Sequence, residues 1–235
     1  MVILNLILPS GVSKLDRIFN KGLHTGLITH VYGKAGTGKT TLALQFMNAA
    51  VRMGIQSLYV NSEGSSPIER FKQMSGKSIA DLSDLVQILS PKSFEEQGEL
   101  IENLDLYARK ETRLIIVDTL TRLYRVVLED RKATYAAHRE LNRQTGFLKG
   151  LAKQRDIAIL CLNQVRSKMQ SAGDIEPVAG NILDYWSDYV VHLRSRQEKG
   201  GRLLKRLIPE GELSEVVLYL TQSGFSVEQD THEKQ

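Results

Sequence analysis

The sequence has few of the features that mark disulfide-bonded, zinc-binding or membrane proteins. It contains one cysteine in 235 residues, which excludes an internal disulfide, and its five histidines are scattered without the spacing of a zinc site. No apolar run approaches the roughly 18 residues of a membrane span. The apolar start, residues 1–8, lacks a basic segment and a cleavage site, so it predicts a buried strand rather than a signal peptide. We therefore expect a cytoplasmic protein without membrane contacts.

Positive charge is concentrated in two parts of the chain, although the net charge is only +4. Residues 121–170 contain eleven basic and four acidic residues, a net charge of +7, and residues 191–206 contain six basic and one acidic residue, a net charge of +5. A basic surface of this kind indicates a polyanionic partner such as nucleic acid. For residues 139–155 a solvated helix face explains the charge equally well.

A phosphate-binding pattern, G-x-x-x-x-G-K-[ST], occupies residues 33–40, between a strand pattern at 27–32 and a helical pattern from Thr41. In this context backbone N–H groups and the helix N-terminus present positive charge to a phosphate. Lys39 is expected to reach the β- and γ-phosphates of a nucleotide, and the Thr40 hydroxyl to ligate Mg²⁺. The alternative, an ordinary glycine-rich turn, is disfavoured by the flanking patterns. The predicted nucleotide-binding residues are Gly33, Lys34, Ala35, Gly36, Thr37, Gly38, Lys39, Thr40 and Thr41.

Three other predicted strands end in polar residues suited to phosphate chemistry. Asp118 follows the apolar segment 113–117 and is expected to hold Mg²⁺ with Thr40, the alternative being a helix cap. Glu63 is expected to position or activate the attacking water, the alternative being a turn residue. Gln164 is expected to bind the γ-phosphate and to release it after hydrolysis, the alternative being a strand-end hydrogen bond. Glu63, Lys39 and Gln164 are thus the predicted catalytic residues.

The order of elements predicts an α/β fold whose mostly parallel central sheet is flanked by helices. Strand and helix patterns alternate as far as residue 162, with long helices at 93–109 and 134–154, and residues 165–180 predict a polar loop. Late strands without intervening helices predict a C-terminal antiparallel extension, at 189–194, 203–208 and 216–220. Ligands of such sheets lie at the carboxyl ends of the strands, where the polar residues above are expected to converge.

Several segments of the chain resemble, in the same order, the motifs of the RecA/RadA recombinases. They are residues 11–16, 33–41, 63–71, 117–121, 162–165 and 177–180. Length and layout are most similar to the short archaeal paralogues of RadA. The resemblance implies a RecA-like P-loop ATPase core over residues 1–228, and the polar composition of residues 229–235 predicts a disordered tail. It also implies ATP with Mg²⁺, DNA binding, and a role in homologous recombination and DNA repair.

The resemblance assigns roles to individual residues. Glu63 is the implied catalytic carboxylate, Asp118 the Mg²⁺-side acid, and Gln164 the link from the γ-phosphate to a DNA-binding loop, while Arg70 is implied near the nucleotide base. A first DNA loop, about 124–136, and a second, about 165–180, carry the implied DNA-binding residues Arg125, Arg131, Lys132, Arg166 and Lys168. Implied partners are single-stranded or branched DNA, a RadA-type recombinase and a Holliday-junction resolvase.

Two departures from the recombinase pattern shape the functional hypothesis. Ten residues precede Gly11, so we expect no N-terminal helix-hairpin-helix domain. The loop 165–180 has no aromatic residue to stack on bases and carries Asp174 and Glu176, which repel phosphate. We therefore expect a recombination accessory protein with weak ATPase activity and no strand exchange of its own. The alternatives are a KaiC-like signalling ATPase and a nucleotide-gated interaction module in which hydrolysis is incidental.

Overall fold

A nine-stranded sheet with helices on both faces forms the centre of the computed structural model, which describes residues 6–128, 134–167, 175–211 and 214–229. The strands, including those of two small two-stranded sheets, are β1 (Ile7–Leu8), β2 (Leu23–His24), β3 (Ile28–Tyr32), β4 (Gln56–Asn61), β5 (Val86–Leu89), β6 (Thr112–Asp118), β7 (Ala158–Asn163), β8 (Val165–Ser167), β9 (Ile175–Pro177), β10 (Tyr189–Ser195), β11 (Gly201–Ile208), β12 (Glu215–Thr221) and β13 (Gly224–Ser226). The helices are α1 (Ser13–Asp16), α2 (Lys39–Arg52), α3 (Ile68–Ser75), α4 (Ile79–Leu82), α5 (Phe94–Glu102), α6 (Leu104–Tyr107), α7 (Arg122–Val127), α8 (Thr134–Arg155) and α9 (Gly180–Trp186).

The strand order of the central sheet is β13–β12–β11–β10–β3–β7–β6–β4–β5. The strands from β10 to β5 pair in parallel, and the strands from β10 to β13 pair antiparallel. The predicted parallel sheet with a C-terminal antiparallel extension is therefore confirmed. One detail was wrong, because β10 pairs in parallel with β3 on its other edge. The sequence reading missed α9, the crossover helix that allows β10 to return in the parallel direction.

Two apolar cores lie on opposite faces of the central sheet. One core packs α2 and α3 against the sheet, and the other packs α5, α7 and α8 against it. The strand β6 contributes to both cores, since its residues from Leu114 to Val117 are all fully buried and alternate between them. A strand covered on both faces needs apolar side chains on both, so its sequence is a continuous apolar run.

The long helix predicted at 93–109 is divided in two. It begins as expected, with Ser93 accepting a hydrogen bond from the backbone N–H of Glu96 as an N-cap. Asn103 then interrupts it, and the Asn103 side chain donates to the carbonyl of Glu99 at 2.8 Å. This competition of a short amide with the helix backbone ends α5 and starts the short α6. Arg109, expected in the last turn, lies beyond α6 and donates to the carbonyl of Asp84.

The described parts of the predicted loop 165–180 are regular structure. β8 and β9 form an antiparallel ribbon in which Arg166 lies opposite Glu176, and α9 begins at Gly180. The expected first DNA loop also differs, because Arg125 lies within α7. The predicted residues Arg131, Lys132 and Lys168, and the predicted tail from residue 230, lie outside the described residues. No helix in the described ranges combines the length and apolar character needed to cross a membrane.

Candidate functional site

The glycine-rich loop lies between β3 and α2 at the carboxyl edge of the sheet, as predicted. Gly36 and Gly38 have φ angles of +75° and +102°, a region that side chains with a Cβ rarely occupy. A Cβ on Gly33 would lie 2.2 Å from the carbonyl oxygen of Leu193 on β10. The loop therefore requires glycine at all three positions, two for backbone conformation and one for close packing. Its shape brings the N-terminus of α2 to the open edge of the sheet, where orphan N–H groups can receive a phosphate.

Lys39, the first residue of α2, folds back over this loop. Its Nζ donates to the carbonyl oxygens of Gly33 at 2.9 Å and Lys34 at 3.0 Å. Burial lowers the pKa of Lys39, while the negative charges of Asp118 and Glu63 act in the opposite sense. The result is a desolvated ammonium group above the loop, flanked by the two acids. Such a group interacts strongly with an incoming anion.

Asp118 is buried beneath Thr40 at the end of β6. Its Oδ2 accepts hydrogen bonds from the Thr40 hydroxyl at 2.7 Å and from the Tyr59 hydroxyl at 2.6 Å. Its Oδ1 is buried and has no hydrogen-bond partner among the described residues. Burial raises the pKa of Asp118, and the hydrogen bonds from Tyr59 and Thr40 oppose that rise. An orphan carboxylate oxygen beside a threonine hydroxyl fits the oxygen ligands that Mg²⁺ prefers.

Tyr59 was not predicted as a site residue. It lies on β4, and burial together with the nearby charge of Asp118 raises its pKa well above the ordinary value. The raised pKa keeps the phenol protonated near neutral pH, so its hydroxyl donates to Asp118. Only the pairing of β4 with β6, which sets Asn61 opposite Asp118, brings Tyr59 within reach, and sequence periodicity does not specify that register.

Glu63 and Gln164 are directly hydrogen-bonded, although 101 positions separate them in the chain. Gln164 Nε2 donates to Glu63 Oε1 at 3.1 Å, and the Thr119 hydroxyl donates to the same oxygen at 3.2 Å. Arg125 Nη1 donates to Gln164 Oε1 at 3.1 Å. Two of the three predicted catalytic residues, Glu63 and Gln164, and one predicted DNA-binding residue, Arg125, thus form a continuous hydrogen-bonded chain. The carboxyl ends of β4 and β7, on either side of β6, bring them together.

Arg122, at the start of α7, is a second residue that sequence reasoning missed. Its Nη1 donates to the carbonyl of Ser62 at 2.6 Å, and its Nε lies 3.9 Å from Glu63 Oε2. A cavity of about 530 Å³ opens beside this pair, and the guanidinium groups of Arg125 and Arg166 also line it. The only signal for Arg122 in the sequence is its position four residues after Asp118. Three cationic side chains therefore border a cavity that begins at Glu63.

The antiparallel extension also contacts the glycine-rich loop. Arg202 on β11 donates from Nε to the carbonyl of Thr37 at 2.8 Å and from Nη2 to the carbonyl of Gly36 at 3.4 Å. A Cβ on Gly38 would lie 3.1–3.2 Å from the side chains of Phe225 and Leu220. These contacts have no signal in the sequence, because they depend on how the extension folds across the loop.

Arg70, implied near a nucleotide base, lies on α3 against the same extension. Its Nη2 donates to the carbonyl of Thr221 at 3.1 Å, where β12 turns towards β13. Arg166, implied on the second DNA loop, pairs through Nε with Glu176 across the β8–β9 ribbon at 2.8 Å. Arg166 and Arg125 are thus placed at the Glu63 cavity, whereas Arg70 is placed against the end of β12.

Comparison with known proteins identifies similar sequences over most of the chain. The family model Rad51 matches residues 3–227. A DNA repair and recombination protein RadB from Methanococcoides burtonii is 33% identical over 215 residues, covering 90% of this chain and 94% of the relative. A RadB from Archaeoglobus fulgidus is 35% identical over 211 residues, covering 88% of this chain and 93% of the relative. The resemblance to RecA/RadA recombinases, and to their short archaeal paralogues, is confirmed.

A solved structure agrees with the sequence comparison. The crystal structure of the RadB recombinase is similar with a TM-score of 0.77 and 28% sequence identity, covering 95% of this chain and 100% of that one. The expected RecA-like fold, with its parallel sheet and antiparallel C-terminal strands, is confirmed by this similarity and by the family match.

Proposed function

The chain belongs to the Rad51 family, and on that basis we propose that it binds ATP with Mg²⁺, binds DNA and acts as an accessory protein of homologous recombination and repair. The observation that carries the proposal is the hydrogen-bonded chain from Glu63 through Gln164 to Arg125. It joins a carboxylate beside the glycine-rich loop to a cationic surface. A protein that only binds nucleotide has no need of such a connection.

In this proposal the glycine-rich loop and Lys39 bind the phosphates of ATP, and residues 33–41 enclose them. Thr40 and Asp118 would hold Mg²⁺, whose chemistry is to offset negative charge on phosphate oxygens. Lys39 exchanges its two loop carbonyls for phosphate oxygens. Its desolvated position makes that exchange favourable, since its present partners carry no net charge.

Glu63 is the proposed group that orients the attacking water and accepts its proton. Its carboxylate is held by Thr119 and Gln164 on one oxygen, and its other oxygen faces Arg122. A carboxylate fixed in this way can present a lone pair in one direction. The arrangement supports slow hydrolysis, because Gln164 must leave Glu63 before it can contact a phosphate.

DNA is the proposed polyanion for the basic cavity. Arg125 and Arg166 border it, and Arg131, Lys132 and Lys168 belong to the adjoining segments of the chain outside the described residues. Within the β8–β9 ribbon, Arg166 already forms an ion pair with Glu176. A ribbon that neutralises its own arginine, with no aromatic residue for stacking, supports accessory binding rather than strand exchange. A RadA-type recombinase and a Holliday-junction resolvase are the proposed protein partners.

The test is ATP hydrolysis measured without DNA and with single-stranded, duplex and branched DNA. Lys39→Ala should abolish nucleotide binding, whereas Glu63→Gln should preserve binding and lower the hydrolysis rate about 10²-fold or more. A parallel strand-exchange assay should show no activity for the wild-type protein. Efficient exchange, or hydrolysis that survives Glu63→Gln, would contradict the proposal.

The same variants separate the alternative functions. A nucleotide-gated interaction module requires that Glu63→Gln complements recombination in cells while Lys39→Ala does not. A KaiC-like signalling ATPase requires a hexamer without affinity for DNA. The Rad51-family match favours recombination over that second alternative.

A further inference from the structure

A series of buried hydrogen bonds connects the turn that carries Glu63 to helix α5. Ser62, which precedes Glu63, donates from its hydroxyl to Gln97 Oε1 at 2.9 Å. Gln97 is fully buried and donates from Nε2 to the carbonyl of Leu120 at 3.0 Å and to Gln144 Oε1 at 2.8 Å. One amide therefore contacts both the turn after β4 and the turn after β6. These turns follow the two strands from which Glu63 and Asp118 reach the site.

The hydrogen-bonded series continues through α8 to the protein surface. Gln144 is also fully buried, and its Nε2 donates to Glu140 Oε1 at 3.0 Å. Arg143 donates to both carboxylate oxygens of Glu140, at 2.8 and 3.0 Å, and to Glu102 on α5 at 2.8 Å. A Cβ on Gly98 would lie 2.5 Å from Glu140 Oε1, so the glycine leaves the space in which this carboxylate meets Gln144.

Two fully buried glutamines in an apolar core require a reason. A leucine or methionine would fill the same volume without the penalty of an amide that loses a partner. The amides contribute hydrogen bonds of defined geometry, and a fully hydrogen-bonded network fixes the relative orientation of the elements it joins. Here the joined elements include the two turns of the candidate site. The N–H groups of Ser62 and Glu63, which donate to the carbonyl of Asp118 at 2.7 and 3.2 Å, and the Thr119 hydroxyl, which donates to Glu63, also link these turns.

We infer that Gln97 and Gln144 are positioning residues for hydrolysis, which orient the carboxylate of Glu63 by holding the Ser62 turn against the Leu120 turn. The inference rests on the proposed ATPase function and deepens it. Gln97 acts directly on both turns, and Gln144 acts by holding the Gln97 amide in the orientation that leaves Oε1 facing Ser62. Neither residue touches the glycine-rich loop, so nucleotide affinity is independent of both.

The experiment compares Gln97→Met and Gln144→Met, which keep side-chain length and remove hydrogen bonding, with the wild type. The control is Thr145→Val, a buried neighbour of Gln144 whose hydroxyl donates, within its own helix, to the carbonyl of Leu141 at 2.8 Å. We expect kcat for ATP to fall about 10-fold or more in Gln97→Met and about 3-fold or more in Gln144→Met, since small displacements of a reacting group have large rate effects. KM, nucleotide Kd and Tm are measured alongside, and KM and Kd should remain within about 2-fold of wild type.

A double variant separates positioning from general destabilisation. Because Ser62 and Gln97 act through one hydrogen bond, Ser62→Ala combined with Gln97→Met should lower kcat no further than Gln97→Met alone. Wild-type kcat in both methionine variants, or losses of kcat that track the loss of folded protein, would overturn the inference while leaving the proposed function intact. A wild-type chain that hydrolyses no ATP would overturn the proposed function, and the inference with it.

Discussion

At the scale of single residues, Asp118 combines burial with incomplete hydrogen bonding. One carboxylate oxygen receives two hydroxyl donors, and the other is buried without a partner among the described residues. A buried orphan acceptor is destabilising, on the order of 1–3 kcal/mol, so it persists where a bound group satisfies it. A divalent cation at this oxygen would also counter the effect of burial, which raises the pKa of Asp118. The residue is therefore suited to binding rather than to folding.

His192 provides a prediction that depends on pH. It is buried on β10, its ring stacks on Tyr32 at 4.4 Å between centroids, and Arg194 donates to its Nδ1 at 3.0 Å. Burial, with the positive charge of Arg194, lowers its pKa from 6.5 to about 4. Between these values the unfolded chain binds more protons than the folded chain. The free energy of unfolding should therefore fall as the pH drops below 6.5, at up to about 1.4 kcal/mol per pH unit.

His192→Phe keeps an aromatic ring on Tyr32 and removes the titration. Urea denaturation at pH 7 and pH 5 should show that wild type loses more stability than the variant over this interval, by up to about 2 kcal/mol. Carboxylates elsewhere titrate in both proteins and cancel in the difference. If the two proteins lose equal stability, His192 does not remain neutral in the folded state.

Among the elements, the antiparallel extension has a role that strand pairing alone does not reveal. Arg202 on β11 holds the carbonyls of Thr37 and Gly36, on the outer side of the glycine-rich loop. Arg202→Ala should raise the Kd for nucleotide about 10-fold, because a charge-assisted hydrogen bond that fixes the loop is lost, with an effect of about 1.4 kcal/mol. Lys205→Ala is the matched control, since Lys205 is on the same strand and pairs with Glu215 instead.

Nucleotide affinity would be followed by fluorescence with a labelled ATP analogue at constant Mg²⁺. Arg202→Lys should recover only part of the affinity, because one ammonium group does not reproduce the forked contact of a guanidinium. An Arg202→Ala protein with wild-type affinity would show that the extension packs beside the loop without shaping it.

The glycine-rich loop was predictable because its signal is local. Strand, loop and helix follow one another in residues 27–52, and Gly36 and Gly38 adopt the backbone conformations that favour glycine. The convergence of Glu63, Asp118 and Gln164 was also predictable in outline. Parallel strands bring their carboxyl ends to one edge, so polar residues that end such strands meet whatever their separation in sequence.

The contacts missing from the sequence prediction all depend on register or on the path of a distant element. Tyr59 reaches Asp118 only through the β4–β6 register, and Arg202 reaches Thr37 only because β11 crosses the loop. The β8–β9 ribbon was mistaken for a loop because its strands have three residues each, too few to show an alternating pattern. Arg166 lies opposite Glu176 in the ribbon, and their ion pair forms only once the two strands meet.

At the scale of the whole molecule, the arginine-lined cavity and the candidate phosphate-binding residues lie at the same edge of the sheet. The glycine-rich loop, the two acids and the cavity lined by arginines all lie at the carboxyl ends of the parallel strands. Arg113 lies at the opposite, amino-terminal edge, where it donates to the carbonyls of Lys110 and Thr112. Under the proposed function, a polyanion bound in the cavity would lie close to the Glu63 carboxylate, and its phosphates would influence hydrolysis through Gln164.

This arrangement predicts how DNA affinity should depend on salt. Each phosphate contact releases counterions, so the logarithm of the binding constant falls linearly with the logarithm of salt concentration, by about 0.7 per contact for single-stranded DNA. Arg125→Ala with Arg166→Ala should therefore reduce the magnitude of that slope by about 1.4, as measured by fluorescence anisotropy between 50 and 200 mM salt. Arg113→Ala, which removes one positive charge from the opposite edge, should leave the slope unchanged. Equal slopes for wild type and the double variant, or an equal effect of Arg113→Ala, would place DNA elsewhere on the protein.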